Sequence, residues 1–396
     1  MIKVAESAKQ KVSNLMKDEG FNPLEDYIRV GVKSGGCSGL SYELKFDNSL
    51  QSEDKLFEHN QIKILVDKKS LLYLIGTTLE YSGGLNGKGF VFNNGKLPTA
   101  TESSSYRDIK VYKNHAFIVS EARGHGLQVF DLAQLRNVTL NQEFSADARL
   151  TTFGSAHNIA VNEASGFAYV VGSEFYNGGP IFIDINDPKS PREVGGYEVD
   201  SYTHDAQIVI YKGPDSDYIG QEILVASNSV GGENNQVVIL DVTNKEEIIK
   251  ISSFTYPDGG FTHQGWFTED HHYFILGDEL DEILKGFKTL TRIIDLTDLD
   301  EPKLHMNFFG PTNAIDHNGY VKGSIFYMAN YTYGMRALNI NELQGKNISE
   351  IGFFDTYPKN NSTSFYGAWN VYPFFPSENI LISDIDLGMF IVKASE

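Results

Sequence analysis

At 396 residues the chain is longer than one hydrophobic core usually serves, and 41% apolar content with 26 Phe and 21 Tyr excludes a disordered chain. Fifty-two acidic against 33 basic residues give a net charge of −19, which excludes nucleic acid and anionic lipid as main partners. A single cysteine, Cys37, excludes an intramolecular disulfide framework, and no apolar run reaches membrane-spanning length.

The opening stretch, "MIKVAESAKQKVSNLMKDEG", predicts one amphipathic helix. Val4, Ala5, Ala8, Val12, Leu15 and Met16 recur at helical spacing and Gly20 supplies a stop. The same stretch lacks the apolar core of a signal peptide, so a cytoplasmic protein is expected. Runs rich in β-branched and aromatic residues follow, "YIRVGVKS", "LSYELKF", "QIKILVD" and "GFVFNN", each predicting a strand. Between the last two, "DKKSLLYLIGTTLEY" predicts a second short helix. Residues 1–94 thus read as a small α+β domain. Cys37 falls inside it, in "GGCSG", where flanking glycines indicate a tightly bent loop. A thiol there fits a metal ligand, a nucleophile or a small packed side chain.

Residues 1–94 resemble the A-type iron–sulfur carrier family (IscA/HesB-like) from end to end, through "IRVGVKSGGCSGLSYELKF", "LVDKKSLLYLIGTTLEY" and "GLNGKGFVFNN". The resemblance implies binding of iron or an iron–sulfur cluster, a homodimer formed through this domain, and a protein partner such as an iron–sulfur apo-protein or another carrier. In that family the loop cysteine acts with two further cysteines of a C-terminal Cys-Gly-Cys motif. Here "FVFNN" runs into "GKLPTATESSS" and both later cysteines are missing, so Cys37 alone carries over as a metal and cofactor ligand. Cluster iron normally takes thiolate ligands at every site. One cysteine per chain leaves the remainder to exogenous thiols or other side chains.

Residues 95–103 read as a linker, and from Ser104 a different pattern repeats. Six apolar runs, most ending in Asp, recur along the chain: "LQVFDL", "PIFIDI", "VVILDV", "TRIIDL", "MRALNI" and "MFIVKA". Each is preceded by two more strand-like runs, and a fourth follows in most units, as in "GGYEVD" and "ISSFTY". A four-stranded meander of about 50 residues is the pattern of a propeller blade. The predicted fold class is a small α+β HesB-like domain followed by an all-β six-bladed β-propeller over residues 104–396.

This second part resembles the LVIVD-repeat propellers of choice-of-anchor B proteins, through "SYRDIKVYKNHAFIVSEARGHGLQVFDL", "THDAQIVIYKGPD" and "THQGWFTEDHHYFILGDELDE". That family is mostly expected to be exported or surface-attached and has no established biochemical activity. The two resemblances therefore differ about compartment, and the N-terminus favours the cytoplasm.

Aligning the first strands of the repeats places Arg107, His157, His204, His263, His317 and Gly367 at one position, followed by Asp108, Asn158, Asp205, Gln264, Asn318 and Ala368. First strands line a propeller's channel, so four successive blades would each present an imidazole at one level. The second strands return to the same mouth and end at Glu121, Glu174, Asn228, Asp278 with Glu279, Asn330 and Asp384. Imidazole and carboxylate together suit a borderline divalent metal. His157, His204, His263, His317, Asp205 and Asp278 are the expected ligands, with Asp205 also suited to orienting a ring nitrogen. The competing reading is structural, since a repeated residue in a repeated unit can simply fix a turn. The Asp residues ending the apolar runs, Asp131, Asp184, Asp241 and Asp295, are expected to bond the backbone N–H groups of the following turn.

Other patterns carry less. The "DELDE" run at 278–282 offers calcium ligands but reads equally as an acidic surface loop, and Trp266 and Trp369 read as channel-wall or core residues. After "MFIVKA" no fourth strand remains for the last blade, so either residues 95–99 pair with it or it stays three-stranded. Three functions follow as alternatives. One is an iron–sulfur or iron carrier joined to a partner-binding propeller; another is a metal-dependent hydrolase or lyase at the propeller mouth; the last is a non-catalytic scaffold.

Overall fold

Helix α1, Glu6–Asp18, buries Ala8, Val12 and Met16 on one stripe. It ends where Gly20 takes a left-handed backbone (φ +85°), a conformation that costs glycine little. Gly20 N–H then bonds the Lys17 carbonyl and Phe21 N–H the Met16 carbonyl, a Schellman stop. The computed structural model describes residues 2–34, 40–74, 77–82, 89–93, 95–136, 138, 142–229 and 235–394.

The helix packs against two sheets. In the four-stranded one the order is Leu40–Asp47, Tyr27–Ser34, Ile62–Asp67, Asp54–His59, with the middle pair parallel. In the three-stranded one Lys3–Val4, Thr78–Ser82 and Gly89–Asn93 lie side by side. Ile28, Val30, Ile64, Val66, Leu74 and Leu79 join the helix stripe in one core. Arg29 ties the second strand down, its guanidinium meeting Asp47 at 2.7 Å and both oxygens of Asp54 at 2.6 and 2.8 Å. The segment expected as one helix divides: helix α2 covers only Lys68–Leu74 and Thr78–Ser82 is a strand.

Beyond residue 104 the chain is mostly β and propeller-like, with one short helix at Asp281–Lys285. Among the described residues six sheets of three or four strands follow in chain order, spanning residues 107–150, 158–196, 203–255, 262–309, 319–354 and 368–392. The first five have four strands each and the sixth has three, Ala368–Tyr372, Ile380–Asp384 and Gly388–Val392. First strands of neighbouring sheets touch one another, which places them innermost. Apolar residues of the middle strands fill each gap between neighbours; Val119 and Val129 of the first sheet meet Val170 and Ile183 of the second.

The expected Asp turns are present. Asp131, Asp184, Asp241 and Asp295 accept from the N–H groups of Ala133, Asn186, Thr243 and Thr297 at 2.9–3.0 Å. Of the two closures expected for the last sheet, the three-stranded one is observed. Gly95–Lys96 instead pairs in parallel with Gln142–Glu143 beside the first sheet, and the Pro98 carbonyl accepts from Gln128.

Candidate functional site

One aromatic or imidazole ring from each sheet converges on the axis. His157 and His204 have ring centroids 4.4 Å apart, His204 and His263 4.4 Å, and His263 and His317 4.3 Å. Trp369 continues the circle at 4.4 Å from His317, and Tyr106 closes it, 6.2 Å from Trp369 and 5.8 Å from His157. The four predicted histidines therefore do face one another. The two ends of the alignment are corrected: Tyr106 and Trp369 occupy the positions expected for Arg107 and Gly367. In the last sheet the ring position is marked by a bulge, as in the third and fourth. Pairing slips by one residue between Ala368 and Asn370, as it does between Thr203 and Asp205 and between Thr262 and Gln264. An extra residue in the strand turns the intervening Trp369, His204 or His263 out of the ladder and toward the channel.

Bonding around the ring fixes the imidazoles. His204 Nδ1 donates to the His263 carbonyl at 3.1 Å and His317 Nδ1 to the Trp369 carbonyl at 2.5 Å. A carbonyl only accepts, so these rings carry their proton on Nδ1 and leave Nε2 with a lone pair. His263 Nδ1 points the same way, toward the His317 carbonyl, without reaching hydrogen-bond geometry. Burial holds His204, His263 and His317 well below the ordinary histidine range, so they are neutral near pH 7. His157 differs. Burial works against its charge, but the Glu121 carboxylate at 2.6 Å overcomes it and raises the pKa.

Glu279 is the carboxylate that reaches the ring. Its Oε2 lies 3.7 Å from His263 Nε2 and its Oε1 lies 3.5 Å from His317 Nε2. Tyr331 donates its hydroxyl to Oε1 at 2.7 Å. Burial pushes the Glu279 carboxyl up to about 7. Asp278, the expected ligand, is corrected to a structural residue. It is wholly buried and accepts from Tyr256 Oη at 2.8 Å and from the N–H groups of Gly260 and Phe261. Asp205 is likewise turned away from the imidazoles. It accepts from Asn158 Nδ2 at 2.7 Å and from Ala206 N–H at 2.6 Å, in a polar tier beside the ring. Burial raises that carboxyl to about 7.

The "DELDE" run is not a surface loop. Asp278 and Asp281 are fully buried and lie near Arg292, which bonds Asp281 at 2.6 Å, and Glu282 is 2% exposed beside Asp281 and Asp316. Burial pushes the Glu282 carboxyl up to about 11, so it is protonated. This cluster keeps its charge low with protons and one guanidinium.

At the mouth beside His157 lies an open cleft of about 520 Å³, lined among others by Glu121, Ser155, Ser173, Glu174, Asn177 and Tyr202. Tyr176 and Asn177 both hold left-handed backbone there (φ 50° and 53°), a strained pair of non-glycine residues. Cys37 lies outside the described residues. Among the described residues no helix is long and apolar enough to cross a membrane.

Comparison with known proteins separates the two parts. A family model described as iron-sulphur cluster biosynthesis matches residues 1–102. A putative iron-sulfur cluster insertion protein ErpA of Aromatoleum aromaticum is 44% identical over 98 residues, covering 25% of this chain and 80% of that protein. The iron-binding protein IscA of Pectobacterium carotovorum is 45% identical over 94 residues, 24% of this chain and 84% of that one. Among solved structures, Kuenenia stuttgartiensis hydrazine synthase shares the fold, with a TM-score of 0.52 at 12% identity, over 94% of this chain and 96% of that chain. Through its residues 1–102, this chain belongs to the iron-sulphur cluster biosynthesis family.

Proposed function

We propose that the protein is a carrier in iron–sulfur cluster assembly, its N-terminal domain holding iron or a cluster as cargo and its propeller docking a protein partner or ligand. The observation that carries this reading is the 44% identity over 98 residues to an iron–sulfur cluster insertion protein. Cys37 supplies the thiolate. Two protomers joined through this domain bring two thiolates, and thiols of the partner complete the ligand set. A set short of its own donors holds cargo weakly and yields it readily to an apo-protein with more cysteines. The propeller is read as six-bladed and of the LVIVD-repeat kind, and cytoplasmic location accords with thiolate chemistry.

Anaerobic reconstitution of the full chain with iron and sulfide tests this. Bound sulfide that disappears in Cys37→Ala is expected. Equal sulfide in both proteins, or none in either, would remove the carrier role.

A second reading is a metal-assisted hydrolase or lyase at the propeller mouth. The open cleft of about 520 Å³ beside the imidazole ring is the observation that favours it.

A further inference from the structure

We infer that His263, Glu279 and His317 form a binding site for one divalent first-row transition metal, of the zinc, manganese or iron(II) class. The inference rests on the channel geometry alone and is independent of the carrier reading of residues 1–102.

Distance is the first argument. Glu279 approaches the two Nε2 atoms with one oxygen each, Oε2 at 3.7 Å from His263 and Oε1 at 3.5 Å from His317. A shared proton would draw nitrogen and oxygen to about 2.7–2.9 Å, so neither contact is a charge-assisted hydrogen bond. Around a tetrahedral ion with bonds of about 2.1 Å, however, neighbouring ligand atoms stand about 3.4 Å apart. The three ligand atoms lie within 4.8 Å of one another, as a common central ion requires.

Donor chemistry is the second. His317 spends its Nδ1 proton on a backbone carbonyl, and His263 turns Nδ1 the same way. His317 therefore presents an Nε2 lone pair inward, His263 does the same in its Nδ1–H tautomer, and neither Nε2 makes a hydrogen bond among the described residues. His263 and His317 are 3% and 5% exposed, and a cation held between them would supply the partner that no protein donor gives their Nε2 atoms. Tyr331 holds the carboxylate from outside in the manner of a supporting ligand.

Surroundings are the third. Trp369 stands 4.4 Å from the His317 ring and Tyr331 5.0 Å, walling one side with aromatic surface. Two imidazoles and one carboxylate leave positions free for water or an exogenous ligand. His157 does not belong to the group of ligand atoms that lie within 4.8 Å of one another.

The test is a calorimetric titration of Zn²⁺ into chelator-treated full-length protein carrying Cys37→Ala, which removes the thiol as a competing ligand. One saturable equivalent is expected, with the dissociation constant raised at least ~100-fold by His263→Ala with His317→Ala and at least ~10-fold by Glu279→Gln. Glu279→Gln keeps the shape of the site and the Tyr331 contact, so it serves even if the histidine variant fails to fold. Tyr331→Phe is expected to weaken binding by a smaller factor. Absence of saturable binding in the Cys37→Ala protein, or unchanged affinity in Glu279→Gln, overturns the site.

Discussion

Glu222, 4% exposed, takes hydrogen bonds on one oxygen from Asn162, Ser165 and Tyr169 at 2.6–2.7 Å and an ion pair on the other from Lys245 at 2.7 Å. Burial alone would raise its pKa, but Lys245 and the two hydroxyls reverse the direction and lower it. Removing one member of a buried pair leaves the other charge uncompensated, so Glu222→Ala is expected to cost about 3–5 kcal/mol in urea unfolding. The sign with pH follows from the lowered value. Its contribution is complete above the unfolded pKa of about 4.3 and is lost as pH falls through the folded one. Glu222→Gln should therefore lose less stability against the wild type at pH 3 than at pH 7. An equal loss at both would show that Glu222 is not ionised in the fold. Neighbouring residues can divide roles completely, as Asp278 and Glu279 do. Consecutive residues at a strand end point opposite ways, so only one could reach the ring. The signal that selects between them is the "PDGGF" turn, whose Gly260 and Phe261 N–H groups capture Asp278 and leave Glu279 to face the imidazoles.

Strands were the legible elements, because each unit repeats an alternating apolar run and an Asp turn that needs only local bonding. Bulges were not. An inserted residue leaves no mark in composition, and the one at Trp369 matches those at His204 and His263, which an alignment on Gly367 misses by two residues. The "SLLYLIG" run was ambiguous for a different reason: short apolar runs fit helix and strand alike, and only the strand partners of Thr78–Ser82 decide where α2 ends. The sixth sheet offers a test at this scale. Among the described residues its outer strand, Gly388–Val392, pairs on one side only, and Met389 and Ile391 are 62% and 48% exposed. Amide protons there should exchange faster than those of Glu222–Asn228, which pairs on both sides and is buried throughout. Equal protection would mean that a further strand covers the edge in solution.

Across the whole molecule the sequence carried the propeller-like second part and the meeting of four imidazoles, because repetition turns a position in one unit into a level in all. It could not carry which carboxylate completes the set, since that depends on how the turns between 258 and 282 fold back on themselves. The two proposals together describe one chain with two separate places for metal chemistry, a thiol in the N-terminal domain and imidazoles around the propeller axis. Their separateness is the central claim, and elemental analysis of iron, zinc and sulfide tests it most directly. The wild type, Cys37→Ala and the His263→Ala/His317→Ala double variant would be loaded side by side with iron, sulfide and zinc, without oxygen. Sulfide with its iron should vanish only in Cys37→Ala, and one equivalent of divalent ion only in the double variant. Loss of both from either protein, or of neither, would contradict two independent sites.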